Sequence, residues 1–322
     1  MTGSARAYDR CVPLLDTHLH LWDPAHLSYP WLDGDLDRRF GPEEYRAAWA
    51  GTSAPTASVF VQAECDPRQA FDEVAWVTAL AEECGIRGIV AYSPLEHGER
   101  VADDLDRLAA TPLVVGVRRS LQDEAPGFAR RRDVVAGARL LAESGLRFDA
   151  CVRPAQLADV AALADAVPGL AIVLDHLGKP AVGSASRPVD PRASDWHRDL
   201  VDLARRPSVH VKLSGLPAEA RGAWSSAQIE PFLDVALEAF GPERLLYGGD
   251  WPVSERQHPG RWLEAVDAWA LDRLGPAGRD AVLAANGEGF YFGSTGRSRS
   301  PETPPSTSRT TPVVEADSGL TR

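Results

Sequence analysis

The sequence predicts an α/β fold: a single (β/α)8 TIM barrel over residues 12–293, with an extra C-terminal helix, a short N-terminal arm at 1–11 and a tail at 294–322. Three observations predict it. Short apolar runs rich in Val, Ile and Leu recur eight times, as parallel strands buried on both faces do. Segments of helical period alternate with them, which is the pattern of a parallel sheet. The first run leads into Asp16-Thr17-His18-Leu19-His20, and neither GxGxxG nor GxxxxGK[ST] occurs in the chain. An open doubly wound sheet, which binds phosphates on a glycine-rich first turn, is therefore the weaker reading. Length alone suggests two domains of ~150 residues, but barrels of ~250 residues and more account for the same span.

The elements follow in order. Strands are expected at 12–21 and 57–64. Asp66 then offers an N-cap, Pro67 suits a first helical turn, and Phe71, Val74, Val77, Leu80, Ala81 and Cys84 recur at three-to-four spacing until Gly85 ends the helix. Strands at 88–92, 113–118, 147–152, 171–176, 209–214 and 245–249 continue the series, with helices at 133–144, 155–167, 194–205, 228–240 and 262–274. A further helix at 276–290 closes the ordered part. The polar loop 29–39, which opens on aromatic residues, is a candidate lid. From residue 294 onward Ser, Thr, Pro, Gly and Arg dominate and no aromatic occurs, too little apolar surface to offset the entropy of ordering. That segment is expected to be disordered.

Charge and composition exclude several classes. The chain has 34 basic and 46 acidic residues, a net charge of −12, so it lacks the basic footprint of a nucleic-acid binder. No apolar run approaches the ~20 residues that span a bilayer, and residues 1–10 have no apolar core of a signal peptide. Cys11, Cys65, Cys84 and Cys151 are scattered without a CxxC pair, as expected of reduced, buried cysteines in the cytoplasm. Lys179 and Lys212 are the only lysines; every other basic residue is Arg.

In an α/β barrel the active site lies at the C-terminal ends of the strands. Strand one ends in His18 and His20, strand two in Gln62 and Glu64, strand four in Arg118 and Arg119, and strand six in Asp175 and His176. Strand seven carries Lys212, and strand eight runs into Asp250. Residues two apart on a strand face the same side, so His18 and His20 can share one metal ion or form a hydrogen-bonded core pair.

These residues lie in segments that together resemble a known family. Leu15-Asp16-Thr17-His18-Leu19-His20-Leu21-Trp22-Asp23-Pro24 resembles the first-strand motif of the amidohydrolase superfamily (amidohydrolase-2 type). Within it, the chain resembles the lactonase branch of L-fuconolactonase, L-rhamnonolactonase and 2-pyrone-4,6-dicarboxylate lactonase. Val61-Gln62-Ala63-Glu64, Gly116-Val117-Arg118, Leu174-Asp175-His176-Leu177-Gly178-Lys179-Pro180, Val211-Lys212-Leu213-Ser214-Gly215 and Gly248-Gly249-Asp250-Trp251-Pro252 match that branch. The resemblance implies a (β/α)8 barrel that hydrolyses lactones of sugar acids or related carboxylates. It also implies Asp250 as general base, with His18, His20 and His176 lining the reacting centre. The fifth strand, Phe148-Asp149-Ala150-Cys151-Val152, lacks the His of the superfamily's two-metal enzymes, and the fourth carries Arg118 where many have a carboxylated Lys or a Glu. The resemblance therefore leaves two states open: one divalent ion, zinc or manganese, on His18, His20 and Asp250, or metal-independent catalysis.

Opening a lactone requires an activated water, a polarised carbonyl and a protonated leaving alkoxide. Asp250 can take and return the proton, with His176 beside it as a second catalytic group. Gln62, Glu64 and Lys212 can hydrogen-bond hydroxyls; Trp22 and Trp251 can cover a ring face. Arg118 can grip a carboxylate or form an ion pair inside the barrel, for example with Glu64. The expected partner is a small-molecule lactone, with no nucleic acid and no membrane; oligomeric state is not legible. Two other readings share the layout: a metal-dependent decarboxylase of the same superfamily, and a non-catalytic barrel that binds a sugar acid.

Overall fold

The computed structural model describes residues 13–293. The expected arm at 1–11, the first residue of the expected first strand and the expected tail lie outside the described residues. Eight parallel strands form the sheet: β1 Leu15–Leu19, β2 Ala57–Val61, β3 Ile86–Tyr92, β4 Val114–Arg118, β5 Arg147–Ala150, β6 Ile172–Leu174, β7 Val209–Leu213 and β8 Leu245–Tyr247. Each pairs with its neighbour in the series. Just beyond β8 the ring closes on β1: the Asp250 amide donates to His18 O (2.7 Å), and the His20 amide to Trp251 O (2.9 Å). The fold is thus a (β/α)8 TIM barrel.

Several strands are shorter than expected at their C-terminal ends, and three of them lead into left-handed turns two or three residues later. Glu64, His176 and Asp250 adopt left-handed backbone, with φ of 58°, 54° and 54°. Such φ values are uncommon outside glycine and keep the chain from running on as extended strand. Each of these residues is thereby turned into the mouth of the barrel.

Helix Ala70–Cys84 begins after Asp66, whose side chain accepts from the Arg68 amide, and ends at Gly85 in left-handed conformation. Helices Pro42–Ala48, Ala102–Ala110 and Leu216–Glu219 were not expected; they are short and present few apolar positions. The expected break between 274 and 276 is a kink at Gly275, inside a helix running Pro259–Asp280. A wider turn at Ala281–Ala285 and a last helix, Asn286–Phe292, follow.

Two apolar layers hold the barrel. The outer one lies between strands and helices. The inner one fills the bottom of the barrel with Leu15, Val59, Val61, Val90, Val173 and Leu246, and Phe290 and Tyr291 of the last helix close it. Full burial of each Val or Leu side chain stabilises the fold by roughly 1.5–3 kcal/mol relative to exposure. Arg147 Nε donates to Phe290 O (2.7 Å) and pins the closing helix. Cys65, Cys84 and Cys151 are free thiols and buried. Among the described residues, no helix is long and apolar enough to cross a membrane.

Candidate active site

The site starts from β1. Asp16 is buried, and its Oδ1 accepts from the His18 amide (2.9 Å) and the Gly249 amide (2.7 Å), fastening β1 to the end of β8. A Cβ on Gly249 would meet Asp16 Oδ2 at 2.5 Å, so only glycine allows this approach. Burial raises the Asp16 carboxyl to about 6 despite these two backbone donors.

From that staple, three imidazoles converge on one carboxylate oxygen. The Nε2 atoms of His18, His20 and His176 each lie 3.7 Å from Asp250 Oδ1. Their other ring nitrogens face the surrounding protein: His20 Nδ1 lies 2.7 Å from Val61 O, His176 Nδ1 2.8 Å from Ser214 Oγ, and His18 Nδ1 3.3 Å from Asp175 Oδ1. Ser254 Oγ donates to the second Asp250 oxygen (2.6 Å). Gly215 makes room for the His176 ring: a Cβ there would stand 2.5 Å from it. Burial lowers all three imidazoles, His20 to about 3, so each ring is neutral near pH 7. Burial also raises Asp250 to about 7, against the pull of the Ser254 hydroxyl.

Beneath this cluster lies a charged layer. Lys212 is fully buried, bonded to Asp149 and 3.1 Å from Asp175 Oδ1. Burial works to raise the Asp175 carboxyl, but the Lys212 ammonium holds it well below the usual carboxylate range. Tyr291 reaches through the floor and donates to Asp149 (2.8 Å).

A cavity of about 210 Å³ opens above the cluster. Of the residues expected at the site, His20, Trp22, Glu64, Arg118, His176 and Asp250 line it. Gln62 lies behind it, its amide donating to Glu64 Oε1 (3.2 Å). Trp251 packs against Phe40 and Tyr45, and Lys212 lies in the layer below. Arg118 pairs with Asp175 (3.6 Å), and its Nε has no hydrogen-bond partner among the described residues. The expected lid is a loop held at its base by the backbone pair Trp22–Phe40; Trp31 within it lines the cavity and donates Nε1–H to Ala63 O (2.7 Å). Gln122, Asp123 and Glu219 also line the cavity. Sequence reasoning missed them because Gln122 and Asp123 stand on a loop and Glu219 on a one-turn helix, where neither strand-end position nor periodicity marks a residue.

With the geometry in place, comparison with known proteins identifies the family. The Amidohydrolase family profile matches residues 15–293. The chain belongs to the amidohydrolase family. L-fucono-1,5-lactonase of Burkholderia multivorans is 35% identical over 289 residues, covering 86% of this chain and 95% of that protein. A second L-fucono-1,5-lactonase, from Burkholderia ambifaria, is 32% identical over 289 residues, covering 86% and 94%. An amidohydrolase of Burkholderia multivorans solved with bound zinc superposes with a TM-score of 0.74 at 33% identity, covering 86% of this chain and 98% of that one.

The residues of this amidohydrolase fit a metal ion of that kind. His18, His176 and Asp250 offer ligand atoms within 4.8 Å of one another, all buried. His20 completes a set of imidazole nitrogens and one carboxylate, the donors that zinc and manganese accept. The contacts of the far ring nitrogens of His20 and His176 to a carbonyl and a hydroxyl are supports of the kind that metal-binding histidines use.

Proposed function

We propose that this amidohydrolase opens the lactone ring of a sugar acid by hydrolysis, with Asp250 as the general base. One observation carries the reading: a buried carboxylate oxygen shared by three imidazoles at the base of a cavity sized for a small molecule. The relatives' activity on fuconolactone supports the substrate class.

The chemistry follows from the side chains. Ser254 occupies Asp250 Oδ2, leaving Oδ1 toward the reacting centre. Asp250 takes a proton from the attacking water as the new C–O bond forms. It returns that proton to the ring oxygen as the lactone C–O bond breaks, leaving a carboxylate and a hydroxyl. A carboxyl pushed up to about 7 by burial is well matched to both transfers near neutral pH. Arg118, whose side chain lines the cavity beside Asp175, faces the negative charge that develops on the carbonyl oxygen. Around the cavity Glu64, Asp123 and Glu219 accept from substrate hydroxyls, while Trp22 and Trp31 cover the apolar ring face.

His18, His20, His176 and Asp250 are the residues that would hold one divalent ion. Such an ion supplies Lewis-acid polarisation of the lactone carbonyl.

The test is Asp250→Asn. A folded variant that no longer opens a lactone turned over by the parent chain supports the reading; near-parental turnover overturns it.

A further inference from the structure

Lys212 takes no part in the reaction above, yet its surroundings assign it a role. Its Nζ donates to Asp149 and lies 3.1 Å from Asp175 Oδ1 and 3.1 Å from His18 Nδ1. Of its three N–H donors one goes to Asp149 and one to His18 Nδ1, which accepts only if that nitrogen carries a lone pair, while the ammonium also faces the Asp175 carboxylate. A neutral imidazole has one ring proton, which then sits on His18 Nε2. That atom lies 3.1 Å from His20 Nε2. His20 must donate its own proton from Nδ1 to Val61 O, 2.7 Å away, so its Nε2 is an acceptor. Donors and acceptors match in one direction: Lys212 to His18, His18 to His20, His20 to Val61. In the opposite tautomer of His18, two lone pairs would face each other across 3.1 Å and one Lys212 N–H would lose its acceptor.

We infer that Lys212 is a positioning residue that holds His18 in its Nε2–H tautomer and so weakens the cluster for a divalent ion. Ligation through His18 Nε2 requires that proton to leave for solvent and a proton to arrive at Nδ1, where Asp175 Oδ1 accepts it at 3.3 Å. The ring stays neutral, and Lys212 keeps Asp149 and Asp175 but gives up its third acceptor. The ammonium also places a fixed positive charge one imidazole away from the ion. Both effects act in the same direction. The affinity part rests on reading the cluster as a divalent-ion site; the tautomer part does not.

The experiment has two readouts on the full chain. Ring 15N spectra of the metal-free protein, with His18 assigned by its loss in His18→Gln, are expected to show Nε2–H and a bare Nδ1. A bare Nε2 with Nδ1–H overturns the inference, whatever the variants do. Zinc affinity is then read by competition with a chromophoric chelator, comparing the parent with Lys212→Met/Asp149→Asn. This pair removes one charge of each sign and leaves Tyr291 an acceptor. The folded double variant is expected to bind one zinc per chain about 10-fold more tightly or better, the size of effect typical of partners behind metal ligands. Unchanged or weaker affinity overturns the inference, as does a second zinc per chain, which would show a new site rather than a released one. No zinc binding by either protein overturns the metal reading itself, while lactone turnover in chelator-treated parent protein would leave the hydrolase reading standing.

Discussion

The two ends of the barrel are made from the same eight strands and differ in almost every physical respect. At the bottom, Leu15, Val59, Val90, Val173 and Leu246 interlock beneath Phe290 and Tyr291. At the top, a few residues further along the same strands, His20, His176 and Asp250 line one cavity, with His18 buried against them. Between them lies the layer of Asp149, Asp175, Lys212 and Arg118, in which the carboxylates are balanced by the two cations. The apolar end supplies stability. The polar end holds groups that burial pushes toward neutrality, as the lowered imidazoles and the raised Asp250 record. The strand residues at the bottom are thus packing, whereas those near and just past the upper strand ends are chemistry, several of them fixed by left-handed turns and close glycines.

Substitutions that fall on one side only can break this division. Asp250→Asn is expected to have the largest effect: a loss of about 10³-fold in turnover, within the range for removing a general base, with circular dichroism unchanged. Leu246→Ala addresses the opposite end. It should destabilise the chain by roughly 2–5 kcal/mol in denaturant unfolding, while kcat/KM stays near the parent value in the folded protein. A matching loss of activity would mean that the floor tunes the mouth directly. Gly215→Ala sharpens the contrast further. Its Cβ would collide with the His176 ring at 2.5 Å and the backbone φ is +70°, so kcat should fall about 10–100-fold, the cost of displacing a reacting group by about an ångström.

The smallest effect comes from a carboxyl that supports the mouth without facing it. Glu73 is buried and accepts from the Ala63 amide (3.0 Å), and burial raises it from 4.5 to about 7. The folded chain therefore favours its protonated form. That stabilisation is full below about pH 4.5 and is lost as pH rises through about 7. Glu73→Gln, which keeps an acceptor for Ala63, should be more stable than the parent above pH 7 by on the order of 1–3 kcal/mol. The advantage should vanish toward pH 4.5 in thermal melts. A constant difference across that range would show that the carboxyl does not titrate there.

How far the sequence reveals this molecule also follows the division between its ends. The strand cores were legible because Val, Ile and Leu runs are dictated by burial on both faces. His18, His20, His176 and Asp250 were legible because a barrel sends its strand ends to one mouth. The points where strands stop were not, because the left-handed turns at Glu64, His176 and Asp250 are imposed by tertiary contacts such as the Asp16 staple. Gln122 and Asp123 enter the cavity from a loop and Glu219 from a four-residue helix, whose paths no local pattern encodes. Lys212 was legible as a strand-seven residue, but its burial between two carboxylates depends on Asp149 and Asp175 arriving from other strands.

The activity proposed for the mouth of this amidohydrolase is the opening of sugar-acid lactones. A pH-indicator assay of the purified chain against a panel of aldonolactones, with and without added zinc, tests it most directly. Acid release is expected from at least one lactone, with kcat/KM of about 10⁴ M⁻¹s⁻¹ or more, the lower end of ordinary enzymes. No acid release from any lactone, together with tight binding of an aldonic acid, would contradict it and make the barrel a binding protein.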